Sequence, residues 1–180
     1  GLVGSEMCIR DSGHRDGWIP FDDEIAGMPE TMERVQTDTR EHMLLYFTSG
    51  TTGYPKMVVH NHRYALAHIQ TAAHWQNVDS DGVHLTISDT GWGKAAWGKL
   101  FGQMSLGACV FVYDFDKFIP TDMLRIMQNY KITSFCAPPT MFRFFIKEGL
   151  ENYDLSSLKY SAIAGEALNP EVYNLSLIHI

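Results

Sequence analysis

Cysteine is scarce: Cys8, Cys109 and Cys136 are the three in 180 residues, and no two stand at a spacing used by metal sites or redox motifs. A disulfide-stapled scaffold is therefore not expected. Cys109 and Cys136 lie in apolar, strand-like runs and read as small hydrophobes, which suits a reducing compartment. No apolar run approaches the roughly 18 residues of a membrane span, and the amino end lacks the apolar middle of a signal peptide. A cytosolic setting is the default expectation. Basic residues are the minority, 14 Lys and Arg against 21 Asp and Glu, so the formal charge is −7. That balance argues against a general nucleic-acid binder, and any anion must be caught locally. Internal repeats and low-complexity tracts are missing as well. The remainder, 45% hydrophobic and 19% charged, is ordinary for one globular domain or part of a larger one.

The two ends differ in character from the interior. GLVGSEMCIRDS and LSLIHI look like library-adapter sequence translated in frame, so residues 1–12 and 175–180 are set aside as tails, and residues 13–174 carry the fold. Residues 13–42 have little periodicity and read as an irregular lead-in anchored by Trp18, Ile19, Phe21 and Ile25. Strands are expected at Met43–Phe47 and Met57–Val59, joined by a loop, followed by a surface helix from Asn61 to Gln76. After the turn Asp79–Gly82 come a strand at Val83–Ser88, a glycine-loosened helix at Gly91–Leu106, and the apolar run Ala108–Tyr113, which reads as a strand covered on both faces. A helix at Thr121–Tyr130 buries Leu124, Ile126, Met127 and Tyr130. Ile132–Ala137 is a buried strand, and Pro138-Pro139 open a helix through Lys147. A last strand at Leu158–Ala164 precedes a helix opened by Asn169-Pro170. This alternation makes the class α/β with a largely parallel sheet, in which ligands sit beyond the carboxyl ends of the strands.

The loop Thr48-Ser49-Gly50-Thr51-Thr52-Gly53-Tyr54-Pro55-Lys56 gathers hydroxyls, glycines and one lysine between two apolar strands. Backbone amides and small hydroxyls wrap phosphate oxygens where no bulky side chain intervenes, and Gly50 and Gly53 leave that space. Lys56 adds a compact point charge. The Walker pattern is absent, because Pro55-Lys56-Met57 stands where Gly-Lys-Ser/Thr is required. The string YFTSGTTGYPKMVVH resembles the phosphate loop of the adenylate-forming enzymes, which include acyl-CoA synthetases, luciferases and nonribosomal peptide adenylation domains. SDTGW, FCAPPTMFRFFIKE and LSSLKYSAIAGEALNPEVYN follow in the order found in medium-chain and related acyl-CoA synthetases.

The resemblance implies a layered αβα sandwich, part of the large amino-terminal domain of such an enzyme. It implies ATP, Mg²⁺ and coenzyme A as partners of a small carboxylic acid, with Thr48, Ser49, Gly50, Thr51, Thr52, Gly53 and Lys56 closing over the β- and γ-phosphates and Thr48 approaching the Mg²⁺. Gly165, Glu166 and Ala167 match the turn against adenine, with Ala167 where proline is usual. Asp89 and Trp92 match the segment beside the acyl pocket. Each of three keeps a plainer alternative: Trp92 as a core aromatic, Glu166 as a helix-start acid, Asp89 as an Asx turn. Trp97, Lys94 and Lys99 read as packing or solvated residues, and Arg63, Arg125, Arg143 and Lys147 as solvated faces. His60, His62, His68 and His74 lack a cysteine or carboxylate at ligand spacing, which disfavours a metal site.

By the same resemblance, an aromatic-Gly-x-Thr-Glu motif, a ribose-binding aspartate, a hinge and a small domain with the adenylation lysine belong downstream of residue 174. Those are absent, so the chain is expected to be a fragment that does not complete adenylation alone and exposes strand edges. A peptide-synthetase adenylation domain is the alternative within the class. A catalytically silent nucleotide-binding module and an inert structural fragment are the others.

Overall fold

Gly17, residues 19–48 and residues 53–179 are described in the computed structural model, with side chains as far as residue 174. The chain divides into two units, residues 1–37 and 38–180. In the first, the described part contains one short helix, α1 (Phe21–Ala26), with Asp22, Asp23 and Glu24 in its first turn, where acids are favoured by the helix dipole. The expected anchors Ile19, Phe21 and Ile25 are exposed, because a six-residue helix with three consecutive acids presents no continuous apolar stripe. Trp18 lies outside the described residues.

The second unit opens with an antiparallel hairpin of β1 (His42–Thr48) and β2 (Lys56–Asn61), longer at each end than the apolar runs that predict it. Asn61 accepts the Arg63 amide at 3.1 Å and so starts α2 (Arg63–Gln70), which continues as a π-turn over Thr71–Trp75. Then follow β3 (Val83–Thr86), α3 (Gly93–Trp97), α4 (Phe101–Ser105), β4 (Cys109–Phe111), α5 (Pro120–Asn129), β5 (Ser134–Ala137), α6 (Pro139–Glu148), β6 (Tyr160–Ile163) and α7 (Pro170–His179). The expected helix at Gly91–Leu106 is two helices, broken at Gly98. Pro139 occupies the first position of α6, and Asn169 caps α7 by accepting the Val172 amide at 3.0 Å.

The last four strands form one parallel sheet in the order β4-β3-β5-β6. Period-two alternation divides each central strand between two faces. Leu85, Phe135 and Ala137 meet Met123, Leu124 and Met127 of α5, Phe142 and Phe145 of α6 and Val172 of α7 in the main core. Each such large side chain contributes about 1.5–3 kcal/mol on burial. In α5 the buried stripe takes Met123 and leaves Tyr130 exposed, since Tyr130 already stands past the helix end.

The opposite face is polar and equally buried. His84 Nδ1 lies 2.8 Å from Ser134 Oγ, and its Nε2 lies 2.7 Å from Thr86 Oγ1 and 3.1 Å from the Gly98 carbonyl. That carbonyl also accepts from Thr86 Oγ1 at 2.6 Å and Gln76 Nε2 at 2.8 Å, and Gln103 donates to Gln76. This network fastens the α3–α4 break and the π-turn to the sheet, completing helical cover on both faces. Burial pushes the His84 imidazole down to about 4 against the opposing pull of the Gly98 carbonyl, with the Lys94 charge adding to the depression. The ring is therefore neutral near pH 7.

The run Ala108–Tyr113 is not covered on both faces as its composition predicts. Only Cys109–Phe111 pair, β4 is the sheet edge among the described residues, and Val112 and Tyr113 are exposed.

Candidate active site

From β3 the chain steps outward to β4, then crosses back past β3 to β5 and on to β6. Right-handed crossovers put the connecting helices on opposite faces when the direction reverses, which leaves a crevice at the carboxyl ends of β3 and β5. Residues 87–92, Pro138–Thr140 and Gly165–Ala167 follow the carboxyl ends of β3, β5 and β6. They stand in a row about 10 Å across, two strand spacings.

The hairpin meets the start of α3, the helix that follows the first of these segments. Thr48 and Lys56 are cross-strand partners at its loop end, both exposed, and Gly53 between them has φ +90°. Alternation places Thr48, Tyr46 and Leu44 on one face with Lys56, Val58 and His60. On that face the Tyr46 ring covers Gly93, where an added Cβ would sit 3.6 Å away, and also meets His60 and Tyr64. The first turn of α3, next to Trp92, is thus pinned against the hairpin strand that ends at Thr48. Ser49, Gly50, Thr51 and Thr52 lie outside the described residues. Further along α2, Tyr64 and His68 stack edge to face, and His68 stacks on Trp97. Burial, then the Tyr46 hydroxyl, raises the Tyr64 phenol pKa, while burial, then His60, lowers that of His68. These rings pack on one another along β1, β2, α2 and α3. Among the described residues no three His, Cys, Asp or Glu side chains gather as a metal site would require.

At the end of β3, Asp89 Oδ1 accepts the Gly91 amide at 2.6 Å and the Asp89 carbonyl accepts the Trp92 amide at 3.1 Å. Asp89 therefore makes the Asx turn that presents Trp92, which stands 72% exposed and outside the core. Lys99 is half-buried, donates to the Ser88 carbonyl at 3.1 Å, and has its ammonium pKa lowered by burial against the pull of Asp89. At the end of β6, Gly165 has φ +97°, a conformation suited to glycine. Glu166 and Ala167 are exposed. The Glu166 carboxylate is held by Thr140 and Arg143 of α6.

Sequence reading missed three of these residues. Arg143 and Thr140 stand three apart in the first turns of the helix after β5, and that spacing at a strand's carboxyl end was the available signal. Lys99 gave none, since its partner is a backbone carbonyl eleven residues earlier.

A parallel sheet covered by helices, with a hairpin pinned beside its strand-end loops, agrees with the resemblance to the adenylate-forming enzymes. The chain belongs to the AMP-binding enzyme family, whose model matches residues 4–175. It is 38% identical over 163 residues to the acyl-coenzyme A synthetase ACSM4, mitochondrial, of Rattus norvegicus, a match covering 89% of this chain and 28% of that protein. With ACSM3, mitochondrial, of Homo sapiens it shares 36% over 169 residues, 93% of this chain and 29% of that protein. The chain thus spans under a third of these relatives. The crystal structure of Brucella canis acyl-CoA synthetase superposes with a TM-score of 0.78 at 26% identity, over 91% of this chain and 30% of that one. The cytosolic expectation is corrected: the curated relatives are named as mitochondrial. Few cysteines and the lack of a long apolar run fit any reducing aqueous compartment, so neither separates cytosol from mitochondrion.

Proposed function

We propose that residues 13–174 are the phosphate-holding and acid-binding part of an ATP-dependent acid–thiol ligase that makes acyl-CoA from a carboxylic acid, with a medium-chain fatty acid as the favoured substrate class. The observation that carries this reading is the pinning of β1 against α3 by Tyr46 over Gly93, which brings the hairpin strand ending at Thr48 against the helix that follows Trp92. A carboxylate oxygen attacks the α-phosphorus of ATP, and the bond to the leaving pyrophosphate breaks. The thiol of coenzyme A then attacks the acyl carbon, its proton is lost, and AMP departs.

The difficulty in the first step is repulsion between anions. Thr48 and Lys56 pair at the two feet of the loop, and in this reading their hydroxyl and cation meet the charge that moves onto pyrophosphate. An exposed threonine hydroxyl suits Mg²⁺ that arrives on the nucleotide, as most of its ligands are then phosphate and water. Mg²⁺ so bound would neutralise part of the triphosphate charge. Trp92 offers an apolar wall to the acid's tail, while Asp89 and Lys99 fix the turn that carries it. Relatives at 36–38% identity named as acyl-coenzyme A synthetases favour coenzyme A over a peptide carrier as acceptor.

The test is ATP–pyrophosphate exchange by the product of the full reading frame over a panel of acids. Exchange is expected with medium-chain acids, reduced about a hundredfold by Lys56→Ala and by Thr51→Ala. Wild-type rates in both variants would refute the assignment of this loop.

A further inference from the structure

The turn after β6 is built from residues that restrain it little. Gly165 has φ +97° with open space about it, and Ala167 stands where the resembled enzymes carry proline, whose ring would remove backbone freedom. Its acid is nevertheless the most firmly held side chain among the described residues of the site. The Thr140 hydroxyl lies 2.7 and 2.6 Å from the two Glu166 oxygens, and Arg143 Nη2 donates to Glu166 Oε2 at 3.2 Å and to Thr140 Oγ1 at 2.5 Å. Both anchors come from α6, a helix started by Pro138-Pro139 at the end of β5 and fixed in the core by Phe142 and Phe145. The loop is therefore tied to a rigid element through one carboxylate.

We propose that Thr140 and Arg143 are positioning residues for the nucleotide, clamping Glu166 so that the Gly165–Ala167 backbone offers a fixed hydrogen-bonding edge to a purine base. The clamp takes the place of the missing proline restraint. It also neutralises Glu166, whose free charge would otherwise face an incoming polyanion. An ion pair this exposed, with side chains 43% and 41% accessible, adds little to global stability, so its effect falls on ligand affinity. The inference rests on the ATP-dependent reading above.

The experiment uses the full-length enzyme as wild type, Arg143→Ala, Arg143→Lys, Thr140→Val, and Arg143→Ala combined with Ala167→Pro. Steady-state exchange is measured, together with direct binding of a fluorescent ATP analogue. Arg143→Ala and Thr140→Val are expected to raise KM for ATP about five- to tenfold, with kcat within about twofold and KM for the acid unchanged. Arg143→Lys should fall between, since lysine keeps the charge but not the planar guanidinium that fixes the direction of the donor. Adding Ala167→Pro should bring KM for ATP most of the way back. Unchanged nucleotide affinity in both single variants, a loss confined to kcat, or no recovery with Ala167→Pro would overturn the clamp. Wild type inactive with every acid would instead sink the parent reading, while binding of the ATP analogue would still decide the clamp.

Discussion

His84 shows how much one strand residue can carry without touching a ligand. Its ring is fully enclosed and joins β3 to β5 and to the Gly98 carbonyl. Its folded pKa, about 4, lies below the unfolded value of 6.5, so between those values the unfolded chain binds more protons. The stability it confers is complete above pH 6.5 and is lost as pH falls toward about 4, up to about 3 kcal/mol in all. His68 acts in the same direction. Urea midpoints near pH 7 and near pH 4.5 should therefore differ, and His84→Gln should flatten the dependence; an equal slope in the variant would place the acid sensitivity elsewhere. Sequence alone gave no hint of this: a histidine between Val83 and Leu85 reads as an outward strand position, and its partners Ser134 and Gly98 lie 50 and 14 residues away. Arg143 and Lys99 were hidden for the same reason. A side chain's role is legible when its partner is close in sequence, as for Asp89 and Gly91 or Asn169 and Val172.

Among the elements, periodic ones were read with most success. Strands β1, β2, β5 and β6 and helices α5 and α6 fall where alternation and proline placed them, within a few residues. The stretch after Trp92 differs, because its helix is interrupted where the Gly98 carbonyl turns aside to meet Gln76, His84 and Thr86. Gly102 in α4 has a tertiary reason too: a Cβ there would collide with the His68 carbonyl oxygen and with the Ala72 side chain. Gly102→Ala should lower stability by about 1–3 kcal/mol through overpacking between α2 and α4, read as a fall in thermal midpoint. No change would mean that this contact yields freely. Composition misled at β4, where an apolar run of six records the need for cover but not what supplies it.

For the whole chain, the exposed surface is informative. Leu45, Phe47, Met57 and Val59 share one exposed face of the hairpin, and Val112 and Tyr113 lie bare beside the edge strand β4. Unpaired edges and apolar faces of this kind associate in water. The 180-residue chain expressed alone is expected to bind a hydrophobic dye and to sediment as concentration-dependent aggregates. A monomeric, dye-silent chain would show that these surfaces are tolerated. The α/β class was determined by the sequence through local pattern, two-residue alternation with proline and glycine punctuation, and the family through the resemblance of four ordered motifs, which the family match bears out. Only the tertiary structure decided that a buried polar network underlies one face of the sheet, that Tyr46 pins the hairpin to α3, and that Glu166 is held by α6. Those depend on strand order, which brings residues far apart in the chain within hydrogen-bonding reach, and no local spacing encodes them.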